Sequence, residues 1–193
     1  MPRRQAAPPP TAYRRAILRL ARRDHSVAEL RCALLERGHD TAEVEAALER
    51  LRREKYLDDA GYAERFARSR LAHQGLGGSR IRQALRVRGV SRGETEAGIR
   101  TALREVDEKA VVDQLARRYW KQHVSVEPAR RLPRLWAFLL RRGFAPRLVH
   151  ARLATLWPRW ADALAGLEPA EHNNDADDPG QQQAASGCPG DES

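Results

Sequence analysis

The chain has 193 residues, with 35 Lys and Arg against 26 Asp and Glu, a pI near 10.5 and a mean hydropathy of −0.68. Two cysteines, Cys32 and Cys188, exclude a disulfide-built fold, and the longest strongly apolar run, Leu135–Leu140, is far too short to span a bilayer. Aromatic residues are only 6% of the chain, which argues against one large dense core and for small apolar stripes on many helices.

Residues 1–11 (MPRRQAAPPPT) are basic and Pro-rich and read as a disordered arm without the apolar core of a signal peptide. A reduced, cytoplasmic chain is expected. Start and stop signals then predict helices over 12–23, 27–37, 41–55, 59–73, 80–88, 92–104, 107–123, 127–142 and 146–157. Ser26 with Glu29, Asp40 with Glu43 and Ser91 with Glu94 have capping-box spacing. Pro146 suits a first helical turn, and Gly38, Gly89 and Gly143 suit left-handed caps. No strand pattern interrupts these segments.

The three glycines mark a repeat. LRCALLERG (30–38), IRQALRVRG (81–89) and LWAFLLRRG (135–143) align position for position, with Leu48, Ile99 and Leu153 each ten residues past the glycine. A period near fifty with matched apolar positions predicts three tandem three-helix repeats, 12–57, 58–105 and 106–160, stacked as an elongated, curved all-α array. The arginine before each glycine, Arg37, Arg88 and Arg142, complements the carbonyl end of its helix. Residues 161–193 are acidic and poor in large apolar side chains, and read as a disordered tail. Their charge could compete weakly for the basic body; a solvated, unattached tail is the expectation.

The first 167 residues hold all 35 cations and 19 acids, a net +16. That balance points to a polyanionic partner: nucleic acid, an acidic protein surface or a nucleoprotein assembly. A solvated basic surface from an arginine-favouring genome is the bland alternative. The middle repeat carries the densest candidate. Arg65, Arg68 and Arg70 on one helix, with Arg80, Arg82 and Arg86 on the next, are expected to form a partner-binding basic face. Arg82 and Arg86 are four apart, a like-charge spacing that costs a helix roughly 0.2–0.5 kcal/mol. Their counterparts are Arg31 and Leu35 in the first repeat and Trp136 and Leu140 in the third, so the repeat itself does not demand the pair.

The same stretch resembles the RecX family of RecA regulators. The likeness lies in Asp58, Asp59, Tyr62 and Ala63, then Arg68–Arg70, and continues through Gly77, Ile81, Arg82, Gln83, Leu85 and Gly89. One departure is visible: family members commonly have a proline after the glycine, where this chain has Gly78. The resemblance implies three tandem three-helix units and a negative modulator of RecA, the recombinase that polymerises on single-stranded DNA. It implies no catalysis and no cofactor, with the RecA filament as partner. A monomer is expected, together with weak, salt-sensitive binding to single- or double-stranded DNA.

Two other classes fit less well. SVAELRCALLERGHDTAEVEAALERLRR (26–53) also reads as a helix-turn-helix of a DNA-binding regulator, but Glu43, Glu45 and Glu49 on the would-be reading helix would repel phosphates. Against an enzyme, the six histidines are scattered with no i, i+4 pair, and no CxxC, GxxxxGK[ST] or GxSxG motif is present. No metal site is expected. Trp120 and Trp136 have core spacing, whereas Trp157 and Trp160 flank Pro158, where exposure for contact is open.

Overall fold

The computed structural model describes residues 11–158, and every regular element among them is a helix. Unit one holds α1 (Ala12–Leu20), α2 (Val27–Leu35) and α3 (Thr41–Arg53). Unit two holds α4 (Asp59–Gln74), α5 (Gly78–Val87) and α6 (Arg92–Glu105). Unit three holds α7 (Glu108–Gln122), α8 (Pro128–Arg141) and α9 (Pro146–Leu156). The expectations for the arm up to residue 10, for Trp160 and for the tail 161–193 fall outside the described residues. Thr11, read above as part of the arm, is the N-cap of α1, its side chain accepting from the Arg14 N–H.

Local chemistry explains most helix ends. Ser26 and Ser91 form full capping boxes with Glu29 and Glu94. The third expected box does not close. Asp40 caps the Ala42 N–H alone, because Glu43 is drawn away to the Ala12 N–H at 2.7 Å, at the start of α1, and to His39. Gly38, Gly89 and Gly143 all have positive φ, and Pro146 opens α9.

Two cores form, divided unevenly among the units. Unit one buries Leu30, Leu34, Val44, Leu48, Leu51 and Leu57 in a cluster of its own. Units two and three share one continuous cluster that runs from Tyr62 and Leu71 through Ile81 and Leu85 to Leu135, Leu139 and Leu153. Within unit two, α4 and α6 cross closely because the contact is built from small residues. A Cβ added at Gly98 would lie 2.7 Å from the Ala63 carbonyl carbon and 2.9 Å from its Cβ.

The units are joined end to end through their second helices. At the end of α8, the carbonyls of Arg142 and Gly143 accept from the N–H groups of Gly77 (2.8 Å) and Ser79 (3.1 Å), where α5 begins. A side chain at Gly77 would overlap the Gly143 backbone. At the end of α5, the Arg88 carbonyl accepts from Ser26 Oγ at 2.5 Å, where α2 begins, and a side chain at Gly89 would overlap the Ala28 Cβ. Each joint therefore sets the carbonyl end of one helix against the amide end of the next, a favourable dipole arrangement. Gly38, the counterpart in unit one, has nothing within 4 Å of where its Cβ would stand.

Candidate functional site

The arginine before each glycine does more than complement a helix end. Arg142 reaches across the joint to the carbonyls of Gln74 and Gly75, closing the C-terminus of α4. Arg88 donates to the Ala84 carbonyl, faces the Phe66 ring at 5.0 Å and lies 3.6 Å from Glu29 of unit one. Glu29 is the hub of that first joint. It accepts from the Ser26 N–H, meets Arg23 at 3.5 Å and receives the Tyr62 hydroxyl at 3.4 Å. Burial pushes the Tyr62 hydroxyl up to about 12. Asp59 Oδ1 accepts from the Val27 N–H at 2.9 Å and so caps a helix in the neighbouring unit. Burial at the joint raises its carboxyl above the ordinary value, partly opposed by that hydrogen bond.

The six arginines singled out in unit two have unequal surroundings. Arg65 pairs with Asp24 of the α1–α2 loop at 2.7 Å. Arg68 lies between Glu64 at 2.5 Å and Glu105 at 2.6 Å. Arg82 grips Glu96 with two bonds, 2.6 and 3.2 Å. Arg70 lies over the Phe66 ring at 4.8 Å, and Arg80 hydrogen-bonds Gln83 at 3.0 Å. Arg86 is exposed and has no hydrogen bond or ion pair with the described residues. Among these six, uncompensated charge thus concentrates on Arg70, Arg80 and Arg86.

Arg82 belongs to the repeat after all. Arg31 grips Glu45 in unit one with the same two-pronged geometry, 2.6 and 2.9 Å, and the same fourteen-residue offset. The third unit replaces the pair with an edge-on contact between Trp136 and His150, ring centres 6.4 Å apart. All three contacts tie a second helix to a third. The like-charge strain between Arg82 and Arg86 is offset by Glu96, at a site about half exposed.

The third unit supplies a second basic surface, outside the six arginines of unit two. Residues 107–158 hold eleven Lys and Arg against four acids. On one side of α7 a cleft of about 520 Å³ is lined by Arg118, Tyr119, His123, Phe138 and Arg142, among others. Tyr119 stacks on His123 at 3.9 Å and tilts against Phe138 at 5.0 Å. On the other side, about 400 Å³ is bounded by Arg117, Lys121, Leu156 and the Trp120–Trp157 pair at 4.6 Å. Trp136 is buried as expected, while Trp120 and Trp157 are half-buried and face each other. Arg131 is the buried cation of the unit. It spends its charge on the carbonyls of Val124 and Val126 and on the Trp120 face, and so fixes the α7–α8 turn. The signal for this surface is RRYWK (117–121), where three cations flank two adjacent aromatic rings. No group of three or more metal-ligating side chains occurs among the described residues, and no helix there is long and apolar enough to cross a membrane.

These features define a tandem three-helix repeat protein with a strongly basic surface. Residues 12–51 match the first three-helix domain of RecX, and residues 58–98 match the second. The chain is 41% identical over 144 residues to regulatory protein RecX of Halorhodospira halophila, covering 74% of this chain and 87% of that one. It is 36% identical over 141 residues to regulatory protein RecX of Pseudomonas entomophila, covering 72% and 88%. The crystal structure of RecX from Lactobacillus salivarius superposes with a TM-score of 0.67 at 16% identity, over 75% of this chain and 94% of that one. A second crystal structure of a regulatory protein RecX gives 0.64 at 23% identity, over 71% and 67%. The chain belongs to the RecX family of regulatory proteins.

Proposed function

We propose that this protein binds RecA or RecA–DNA filaments and inhibits recombinase activity, as a non-enzymatic, cytoplasmic, monomeric modulator of DNA repair and recombination and of the SOS response. Membership of a regulatory family, in a chain whose described surface is strongly cationic, carries this reading. The contact surface is assigned to unit two. Arg70, Arg80 and Arg86 offer charge to the partner directly. Arg65, Arg68 and Arg82 can join by exchanging an exposed internal carboxylate for an external one. Such exposed pairs are worth about 0.2–1 kcal/mol, so the exchange is nearly neutral. Arginine suits the task because its fork binds carboxylate or phosphate bidentately. Some direct DNA affinity follows from the same charge and falls steeply with salt.

The test is RecA-catalysed ATP hydrolysis on single-stranded DNA, with a parallel titration on bare DNA. Inhibition is expected well below the amount that coats the DNA. The Arg80→Glu/Arg86→Glu double variant should lose potency by about tenfold or more with unchanged melting. Inhibition only at coating amounts favours the helix-turn-helix-like alternative, in which the protein acts on DNA itself. Full potency in the double variant removes this face from the mechanism.

A further inference from the structure

In units one and two, acids are more numerous and several cations pair with them. Residues 11–57 hold eleven Lys and Arg against eight acids, and residues 58–105 hold ten against six. Arg31, Arg50, Arg65, Arg68 and Arg82 each meet a carboxylate within 3 Å. Unit three differs. Its four acids are Asp107, Glu108, Asp113 and Glu127. Asp107 caps the start of α7 and Glu108 is half-buried beside it. Asp113 is held by Arg152 at 2.5 Å, and Glu127 sits 3.9 Å from Arg130. None of these meets the cations of the second half of α7. Arg117, Arg118 and Lys121 are exposed and have no hydrogen bond or ion pair with the described residues.

The missing acids lie in the same chain. Past residue 167 there are seven Asp and Glu and no Lys or Arg, five of them within eleven residues: Glu168, Glu171, Asp175, Asp177 and Asp178. Trp157, one wall of the cleft beside Arg117 and Lys121, stands next to the last described residue. Eleven residues separate it from Glu168, a reach of at most ~40 Å. α7 itself is only ~22 Å long, so the whole helix lies within range.

We propose that the acidic segment 168–178 docks on the basic, aromatic flanks of α7 and shields that surface from other polyanions. Each contact is an exposed ion pair and weak alone. Tethering makes the set effective, because a short linker presents the segment at an effective concentration in the ~mM range. An internal site with a dissociation constant near ~0.1 mM would then be occupied about nine-tenths of the time and weaken an external competitor ~tenfold. This inference does not rest on RecA being the partner.

The experiment uses the full-length chain. Glu168→Gln, Glu171→Gln, Asp175→Asn, Asp177→Asn and Asp178→Asn are combined, and binding of a fluorescein-labelled oligothymidylate is followed by anisotropy at low ionic strength. Docking predicts ~tenfold tighter binding on neutralisation. In a background carrying Arg117→Gln, Arg118→Gln and Lys121→Gln, the same neutralisation should change affinity less than about twofold. An equal gain in both backgrounds would show that the segment acts only as diffuse charge, and no gain at all would also overturn the proposal. The indole N–H resonances of Trp120 and Trp157 give a second reading that needs no ligand. Neutralising the segment should move both, and unmoved resonances reject docking even where the triple background binds too weakly to titrate.

Discussion

The close crossing of α4 and α6 makes opposite demands on two glycines of one helix. Gly→Ala in an exposed helix position normally adds up to about 1 kcal/mol of stability, because glycine has the larger backbone entropy to lose. Gly93, in the first turn of α6, has nothing within 4 Å of where a Cβ would stand, so Gly93→Ala should stabilise by about 0.5–1 kcal/mol. Gly98, five residues on, faces Ala63 C, Glu64 N and Ala63 Cβ at 2.7, 2.8 and 2.9 Å. Ordinary contact begins near 3.5 Å, and two of these atoms are backbone that no rotamer change can move. α4 must therefore retreat by close to an ångström, loosening Ala67 and Ala102 along the same seam. Overpacking of this kind costs about 1–3 kcal/mol, which outweighs the propensity gain. Gly98→Ala should be destabilised by about 1–2 kcal/mol, opposite in sign to Gly93→Ala. Urea denaturation followed by helical circular dichroism compares the two midpoints. Equal stabilisation of both variants would refute the close crossing.

Two titrations follow from the first joint. Tyr62 is buried and its hydroxyl is raised to about 12, whereas in the unfolded chain it ionises near 10. The folded state holds that proton longer, so stability should fall as pH climbs from 10 to 12, by about 3 kcal/mol; Tyr62→Phe should remove this alkaline loss in chemical denaturation. Asp59 is raised above its ordinary 3.8 by burial. Between 3.8 and that raised value the folded state binds more protons than the unfolded, so the Asp59 contribution grows as pH falls through the window. Asp59→Asn keeps an acceptor for Val27 and should flatten this part of the stability profile; an unaltered slope would contradict the assignment.

Much of the architecture was legible in the residues. Caps, periodic leucines and three glycines mark the nine helices of the described residues, because each of those signals acts within a turn or two. Partners that lie farther off were harder to see. Arg82 was set apart from the repeat, yet Glu96 stands fourteen residues on, and the same offset separates Arg31 from Glu45. The acids thus repeat with the same period as the leucines in the first two units. The α4–α6 crossing had a signature too, small residues four apart in Ala63/Ala67 and again in Gly98/Ala102. The joints were not readable, since a glycine's φ predicts a cap but not which backbone will abut it. Glu43 shows the same limit, because its competing donor, the Ala12 N–H, is thirty-one residues away.

The unequal division of the cores has a mechanical consequence. Units two and three are welded by shared aliphatic side chains, a bond indifferent to ionic strength. Unit one hangs on carboxylates, a serine hydroxyl and guanidinium groups, all of which water and salt can replace. Bending in the array should therefore concentrate at one wrist, between α2 and α5, while the remaining two-thirds moves as a single stiff forearm. A protein built this way changes its overall curvature by adjusting one angle.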